Sequence, residues 1–386
     1  MTAYGILSTY PPTPCGLATF SESLLRHLTT AEAGDQAGVV QVLDAPPTGF
    51  HPEVVAHLVN GSAGGPAVAA AALNGFEVAV VQHEYGIYGG RDGENVLAVL
   101  ADLEVPSIVV LHTVLVRPSA HQRQVLERIV QAADVAVVMS RAAAHRLKEL
   151  YLVDADKVVV IPHGALGRRS TAPTPSITPF AAVAAKPARP TILTWGLIGP
   201  GKGIEWGIDA LADLADLPTP PRYLVAGRTH PKVLSREGDA YRDSLRARAV
   251  DRGVADLVEF DADYRNPEAL MALVREADVV LLPYDSSEQV TSGVLTEAVV
   301  ARRPVVATDF PHAAELLADG AGIVVPHRDP AAISAALRRV LTEKGLSADM
   351  SARAALIAPD LEWSAVAQQY RALAGQLLGR RAKANV

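Results

Sequence analysis

The chain reads as an α/β protein built from two doubly wound, parallel-sheet domains. Three observations predict this. Short apolar runs of strand length recur along the 386 residues, and helical segments separate several of them. Runs buried on both faces and alternating with helices imply a parallel sheet covered on both sides. The alternation occurs twice, on either side of residues 166–190, which lose periodicity and collect Pro, Ala, Ser and Thr as a linker does. Finally, residues 277–308 form a strand–loop–helix–strand pattern whose helix opens on Ser292-Gly293. The expected division is a first domain over 1–165, a linker over 166–190 and a second domain over 191–365. A C-terminal helix at about 366–386 is expected to return to the first domain.

Taken in order, a first strand at 4–8 feeds a proline-stiffened loop that ends at Gly16. Leu17, Phe20, Leu24 and Leu28 then recur at helical spacing. A glycine at that point lets backbone approach a ligand closely, and an ordinary turn gives the same pattern. Further strands are expected at 39–43, 78–82, 107–111, 135–139 and 158–161, with helices at 120–133 and 141–150. Beyond the linker, strands are expected at 192–195, 223–226, 257–260, 279–282, 305–307 and 323–325. The C-terminal segment from about 361 is helical, and its Trp363, Val366 and Tyr370 are expected at the domain junction. Two such halves predict a cleft faced by both sets of strand ends. Ligands of these sheets lie beyond the carboxyl ends of the strands. The informative residues therefore follow the strands: Gln82-His83-Glu84-Tyr85, Leu111-His112-Thr113, Met139-Ser140 and Pro162-His163-Gly164.

Composition narrows the function classes. Hydrophobic residues make up 49% and charged residues 20%, as in a folded globular protein. A net charge of −7 argues against a nucleic-acid binder, although a few local basic residues suffice for a phosphate. The single cysteine, Cys15, excludes an intramolecular disulfide framework and fits a reducing compartment. No basic segment leads into a long apolar run, and the apolar runs are strand-sized. The expected location is the cytoplasm, with peripheral membrane contact left open.

The chemistry concentrates in the second half. A helix opening on Thr291-Ser292-Gly293-Val294 exposes unpaired N–H groups and the positive end of its dipole, which suits an anion. Glu297 lies about a turn further, placed to accept hydrogen bonds from hydroxyls. Phosphate and hydroxyls together suggest a nucleotide, whereas a merely capped helix with a solvated glutamate is the plain alternative. The run Trp195-Gly196-Leu197-Ile198-Gly199-Pro200-Gly201-Lys202-Gly203 shapes a tight loop with Lys202 just before a helix. A lysine there opposes the helix dipole unless an anion offsets it. Because Gly203 follows it, this is not a triphosphatase loop. Arg228 also follows a strand and can reach the same anion or simply be solvated. His112 ends a strand, where it either faces a ligand or is a satisfied core histidine. Metal chemistry has little support: the eleven histidines are scattered and Asp261-Ala262-Asp263 is the one acid pair of that kind.

Together these residues resemble the retaining GT-B glycosyltransferases of family GT4, over nearly the whole chain. The strongest parts are Gly196 to Gly203, matching a G-x5-K-G loop, and Ser292 to Ala307, matching S-G-x3-E-A and the following strand. Pro14-Cys15-Gly16-Leu17-Ala18-Thr19-Phe20 resembles the start of one branch. The resemblance implies two Rossmann-like domains facing a central cleft and a hexosyltransferase without a cofactor or metal requirement. It further implies a nucleotide-diphospho-sugar donor, leaning towards GDP-mannose over UDP-linked sugars, and a glycan or glycoside acceptor. Catalytic residues would be His112, Lys202 and Glu297. The donor would meet Gly16, Gly196, Lys202, Arg228, Gln289, Thr291, Ser292, Gly293, Val294 and Glu297. Acceptor-side candidates are His83, Glu84, Tyr85 and Arg117. Two departures matter: Leu197 stands where many members have arginine, and Gln289 where the family has the first glutamate of E-x7-E. A GT-B sugar-nucleotide epimerase and a non-catalytic nucleotide-sugar binding protein are the alternatives.

Overall fold

A computed structural model of the protein describes residues 1–30, 34–47, 49–167, 189–263 and 265–384. Most of the expected linker, 168–188, lies outside the described residues. The chain divides into two compact units, one of Met1–Gly164 with Trp363–Val386 and one of Ala165–Glu362.

The first unit carries seven parallel strands: β1 (Ala3–Ser8), β2 (Gln36–Leu43), β3 (Val54–Val59), β4 (Val78–His83), β5 (Ser107–Leu111), β6 (Val135–Val138) and β7 (Val158–Val160). Their order is β3-β2-β1-β4-β5-β6-β7. β4 and β5 are buried along their whole length, and their stretches 78–81 and 108–111 read as unbroken apolar runs. β3 was not anticipated. Among the described residues it is an edge strand paired with β2, half exposed, and its His57 breaks the apolar run.

The helix Gly16–Leu28 buries Phe20, Leu24 and Leu28 at helical spacing. The last helix, Trp363–Ala384, packs against it. Arg371 ties the two by donating to the carbonyls of His27 (2.6 Å) and Leu28 (3.0 Å) and by pairing with Asp35 at 3.1 Å. A cation there complements the negative end of the helix dipole. The ring contacts of Trp363 are with Phe20, His27 and His163, all in this unit.

The second unit carries β8 (Thr191–Trp195), β9 (Arg222–Ala226), β10 (Val258–Asp261), β11 (Val279–Leu282), β12 (Val305–Thr308) and β13 (Gly322–Val325). They are parallel, in the order β10-β9-β8-β11-β12-β13. Side chains alternate across this sheet. Leu193, Trp195, Val280 and Leu282 join Leu295, Ala298 and Val299 of the helix Gly293–Val300 in one core. Ile192, Val279 and Leu281 face the opposite core with Ile204 and Ile208.

Each sheet has the doubly wound order that reverses direction at its centre. The reversal falls between β1 and β4 in the first unit and between β8 and β11 in the second. In such sheets, loops that leave neighbouring strands at the reversal diverge and leave a crevice for ligand.

Candidate functional site

In the second unit the loops after β8 and β11 are knitted together at this reversal. The amide of Asp285 donates to Gly201 O at 3.0 Å. Trp206 Nε1 donates to Asp285 Oδ1 at 2.8 Å. Gly203 caps the helix Ile204–Ala212 in the left-handed region (φ 63°), and a Cβ there would sit 1.7 Å from Pro283 O. Only glycine satisfies both conditions. Gly203→Ala is therefore expected to lower stability by about 2 kcal/mol or more. A melting temperature matching wild type would contradict this packing.

Lys202 lies between Gly201 and Gly203, with its Nζ 4.4 Å from the centroid of the Tyr284 ring. Tyr284 is buried against Phe310. Among the described residues no carboxylate pairs with Lys202, so the ammonium is steered by a ring face and keeps its charge uncompensated by an acid. The loop after β9 joins this one. Ile198 N donates to Arg228 O and His230 N to Ile198 O, both at 2.8 Å. A Cβ at Gly227 (φ 133°) would lie 1.9 Å from Gly196 O. Arg228 itself is exposed. Burial, with the cations Lys232, Lys202 and Arg236, pushes the His230 imidazole below its usual range. Burial is the main cause, and the three cations add to it.

The helix Gly293–Val300 begins beside this loop: Val294 Cγ2 is 3.8 Å from where a Gly196 Cβ would stand. Ser292 is its cap, its Oγ accepting from Leu295 N at 3.2 Å. The Ser292 amide donates to His312 Nδ1 at 2.9 Å. Gln289 Nε2 donates to Thr291 O at 2.9 Å, which shapes the turn before the helix. The Thr291 hydroxyl is buried without a hydrogen bond among the described residues. The amides of Gly293 and Val294 likewise have no acceptor among them. Free amides at a helix start, with its dipole, are the kind of feature that suits an anion.

Glu297 stands one turn into the helix. Its Oε2 accepts from Trp195 Nε1 at 2.9 Å, across 102 residues of sequence. Burial raises its carboxyl to about 7, and the indole hydrogen bond opposes that rise. The sign follows from linkage. A carboxyl whose folded pKa exceeds the unfolded value costs stability as pH rises from about 4.5 to about 7. Above that the cost levels off at about 3 kcal/mol. Glu297→Gln, which keeps an acceptor for the indole, should therefore raise the melting temperature at pH 8 and not at pH 4. Equal effects at both pH values would contradict a buried, ionised Glu297.

The first-unit candidates cluster at the ends of β4, β5 and β7. His112 N donates to His83 O at 3.1 Å, and the His112 Nε2 contacts Gln82 Oε1 at 2.7 Å. Phe20 packs edge-on against both His112 (5.0 Å) and His163 (5.1 Å). His83 is fully buried, and neither ring nitrogen has a hydrogen bond among the described residues. Burial pushes His83 and His163 down to about 4. His112 is pushed to about 3 by burial and by its two imidazole neighbours. Glu84 accepts from the Tyr85 amide (3.0 Å) and the Thr113 hydroxyl (2.5 Å). Tyr85 Oη donates to Gln122 O at 3.4 Å, linking the loop after β4 to the helix Ala120–Ala132. Arg117 is exposed on the loop between β5 and that helix. Gly16 opens its helix, and a Cβ there would meet nothing within 4 Å. Asp261, half of the acid pair, is bound to Arg265. Among the described residues no three His, Cys, Asp or Glu side chains group to hold a metal, and no helix is long and apolar enough to cross a membrane.

Three participants were not singled out from the sequence. In sequence, Trp195 reads as the end of a strand and Tyr284 as loop, and nothing marks His312. Each matters through a partner distant in the chain, so no local pattern marks it.

The chain is similar to several known proteins. Residues 189–343 match the family model described as glycosyl transferases group 1. A D-inositol 3-phosphate glycosyltransferase of Kineococcus radiotolerans is 31% identical over 63% of this chain and 57% of its own length. One from Nocardia farcinica is 29% identical over 69% of this chain and 58% of its own length. The chain thus spans a little over half the length of these curated relatives. The Anabaena protein HepE, solved with UDP and glucose, superposes with a TM-score of 0.74 at 16% identity, covering 97% of this chain and all of its own. Sucrose-phosphate synthase of Thermosynechococcus elongatus gives 0.73 at 17% identity, covering 98% of this chain and all of its own. Residues 189–343 therefore belong to the glycosyl transferases group 1 family, in a chain of the GT-B fold.

Proposed function

We propose that this chain is a retaining GT4-type glycosyltransferase that moves a sugar from a nucleotide-diphospho-sugar to a hydroxyl of a polyhydroxyl acceptor. One observation carries the reading. At the reversal point of the second sheet, the loop after β8 carries Lys202, and the helix that follows β11 carries two unbonded amides at its start and Glu297 one turn on. Amides and ammonium suit a diphosphate, and the carboxylate suits ribose hydroxyls.

The chemistry follows from charge. As the bond from the sugar C1 to the diphosphate oxygen breaks, negative charge grows on that oxygen. Lys202 and the start of the helix Gly293–Val300 stabilise it, with Arg228 as a further cation on the adjoining loop. The acceptor oxygen bonds to C1 on the same face, and its proton passes to the departing diphosphate. Gln289 keeps a hydrogen-bonding amide where the family has a carboxylate, and it is assigned to the donor loop. The first unit is read as the acceptor half, through His83, Glu84, Tyr85 and Arg117, with neutral His112 among them. The curated relatives' name makes a cyclitol phosphate the first acceptor to try. GDP-mannose is the donor towards which the sequence resemblance leans, with UDP-sugars as the other arm.

The test is incubation with GDP-mannose and a set of UDP-sugars, with and without inositol 3-phosphate and simple glycosides. Release of nucleoside diphosphate together with a new glycoside, dependent on acceptor, is the expected result. A new sugar nucleotide formed from donor alone would make the protein an epimerase. Binding without consumption in every mixture would make it a non-catalytic receptor.

A further inference from the structure

The hydrogen bond between Trp195 and Glu297 carries a consequence for how the nucleotide is recognised. Trp195 is the last residue of β8 and is 1% exposed. Its backbone is fixed by pairing with Ala226, and its ring lies in the core formed with Leu295, Ala298 and Val299. A side chain packed in this way has no freedom to re-aim its N–H. An indole nitrogen only donates, and a carboxylate oxygen accepts, so the sense of the 2.9 Å bond to Oε2 is unambiguous. The other oxygen, Oε1, makes no hydrogen bond with any described residue.

We propose that Trp195 is a positioning residue for nucleotide binding: its indole N–H holds Oε2 of Glu297, fixing the carboxylate so that Oε1 accepts from the ribose hydroxyls. This rests on the reading of Glu297 as the ribose ligand given above. Two physical effects support it. A glutamate has three rotatable bonds, and anchoring one oxygen removes most of the freedom that ligand binding would otherwise have to freeze. A donor aimed at the carboxylate also favours its charged form, the form that accepts two hydroxyl hydrogen bonds. Leu197, two residues on, carries no charge, and the indole is the neighbour that offsets the carboxylate's burial.

The experiment is isothermal titration of the full chain with UDP and GDP, each beside its 2′,3′-dideoxy analogue. The dideoxy form has no ribose hydroxyl for Glu297 and serves as an internal control. For the nucleotide the protein accepts, wild type is expected to favour the ribose form at least tenfold. Trp195→Phe keeps an aromatic ring in the core and deletes the donor; its preference should fall to about twofold or less. In a Glu297→Gln background the same substitution should change the preference no further. Should Trp195→Phe fail to fold, the Nε1–H resonance of Trp195 in wild type provides the reading. It should move on adding the ribose form and stay in place with the dideoxy form. Preference retained in Trp195→Phe, or an indole resonance indifferent to ribose, overturns the positioning role while leaving Glu297 as ligand. Equal affinity of wild type for both forms removes the ribose reading of Glu297 itself.

Discussion

Lys202→Ala is expected to cut turnover by about a hundred- to a thousandfold, the usual effect of removing one fixed donor from a developing negative charge. The expectation comes from where the ammonium stands. It is held over the Tyr284 ring, one residue from the tight turn at Gly203, and no acid among the described residues neutralises it. Removing it costs the fold little, because a partly exposed cation–ring contact is worth about 0.5–1 kcal/mol. Activity and stability should therefore separate: the melting temperature changes slightly while the rate of nucleoside diphosphate release collapses. Tyr284→Phe, which keeps the ring, should retain most activity. Near-normal turnover in Lys202→Ala would remove the diphosphate assignment from this loop.

Acid is expected to unfold the first unit well before most carboxylates are protonated. His83, His112 and His163 are held at about 4, 3 and 4, against 6.5 when exposed. The folded unit therefore keeps all three neutral, while the unfolded chain takes up three protons as pH falls below about 6.5. A histidine with a depressed folded pKa contributes stability that is present above the unfolded value and lost as pH drops. At pH 5 the loss is about 2 kcal/mol for each imidazole, or about 6 kcal/mol for the three. It depends only on the folded values lying below 5. That is comparable with the whole stability of a typical domain. Urea unfolding at pH 7.5 and 5.0 measures it, and His83→Gln should recover about 2 kcal/mol of the difference. Equal stability at both pH values would contradict the burial of this cluster.

The parts of the fold legible in sequence were those where burial is uniform. β5, β11 and the helix Arg141–Leu150 match their expected bounds to the residue, since each is an unbroken apolar run or a clear helical stripe. β3 escaped because an edge strand has one solvated side and no such run. Within the candidate site, the glycines and Lys202 were legible because a tight loop before a helix leaves a local signature. The Gly203 approach to Pro283 O explains physically why glycine stands there. Glu297 was legible by its spacing from the helix start. Its neighbour Trp195 was not, because a hydrogen bond spanning 102 residues depends on strand register and on which face an odd-numbered side chain takes. His312, accepting from the Ser292 amide across 20 residues, was hidden for the same reason.

The central claim is that the second unit binds a nucleotide-diphospho-sugar at Lys202 and the Gly293–Val300 helix start. Thermal stabilisation against a panel of GDP- and UDP-sugars, with and without chelator, tests it most directly. At a hundred times its dissociation constant, a bound donor should stabilise by about 2.7 kcal/mol. The expected result is a melting shift with one nucleotide class, unaffected by chelator and absent in Lys202→Ala. No shift with any sugar nucleotide, or an undiminished shift in Lys202→Ala, would contradict it.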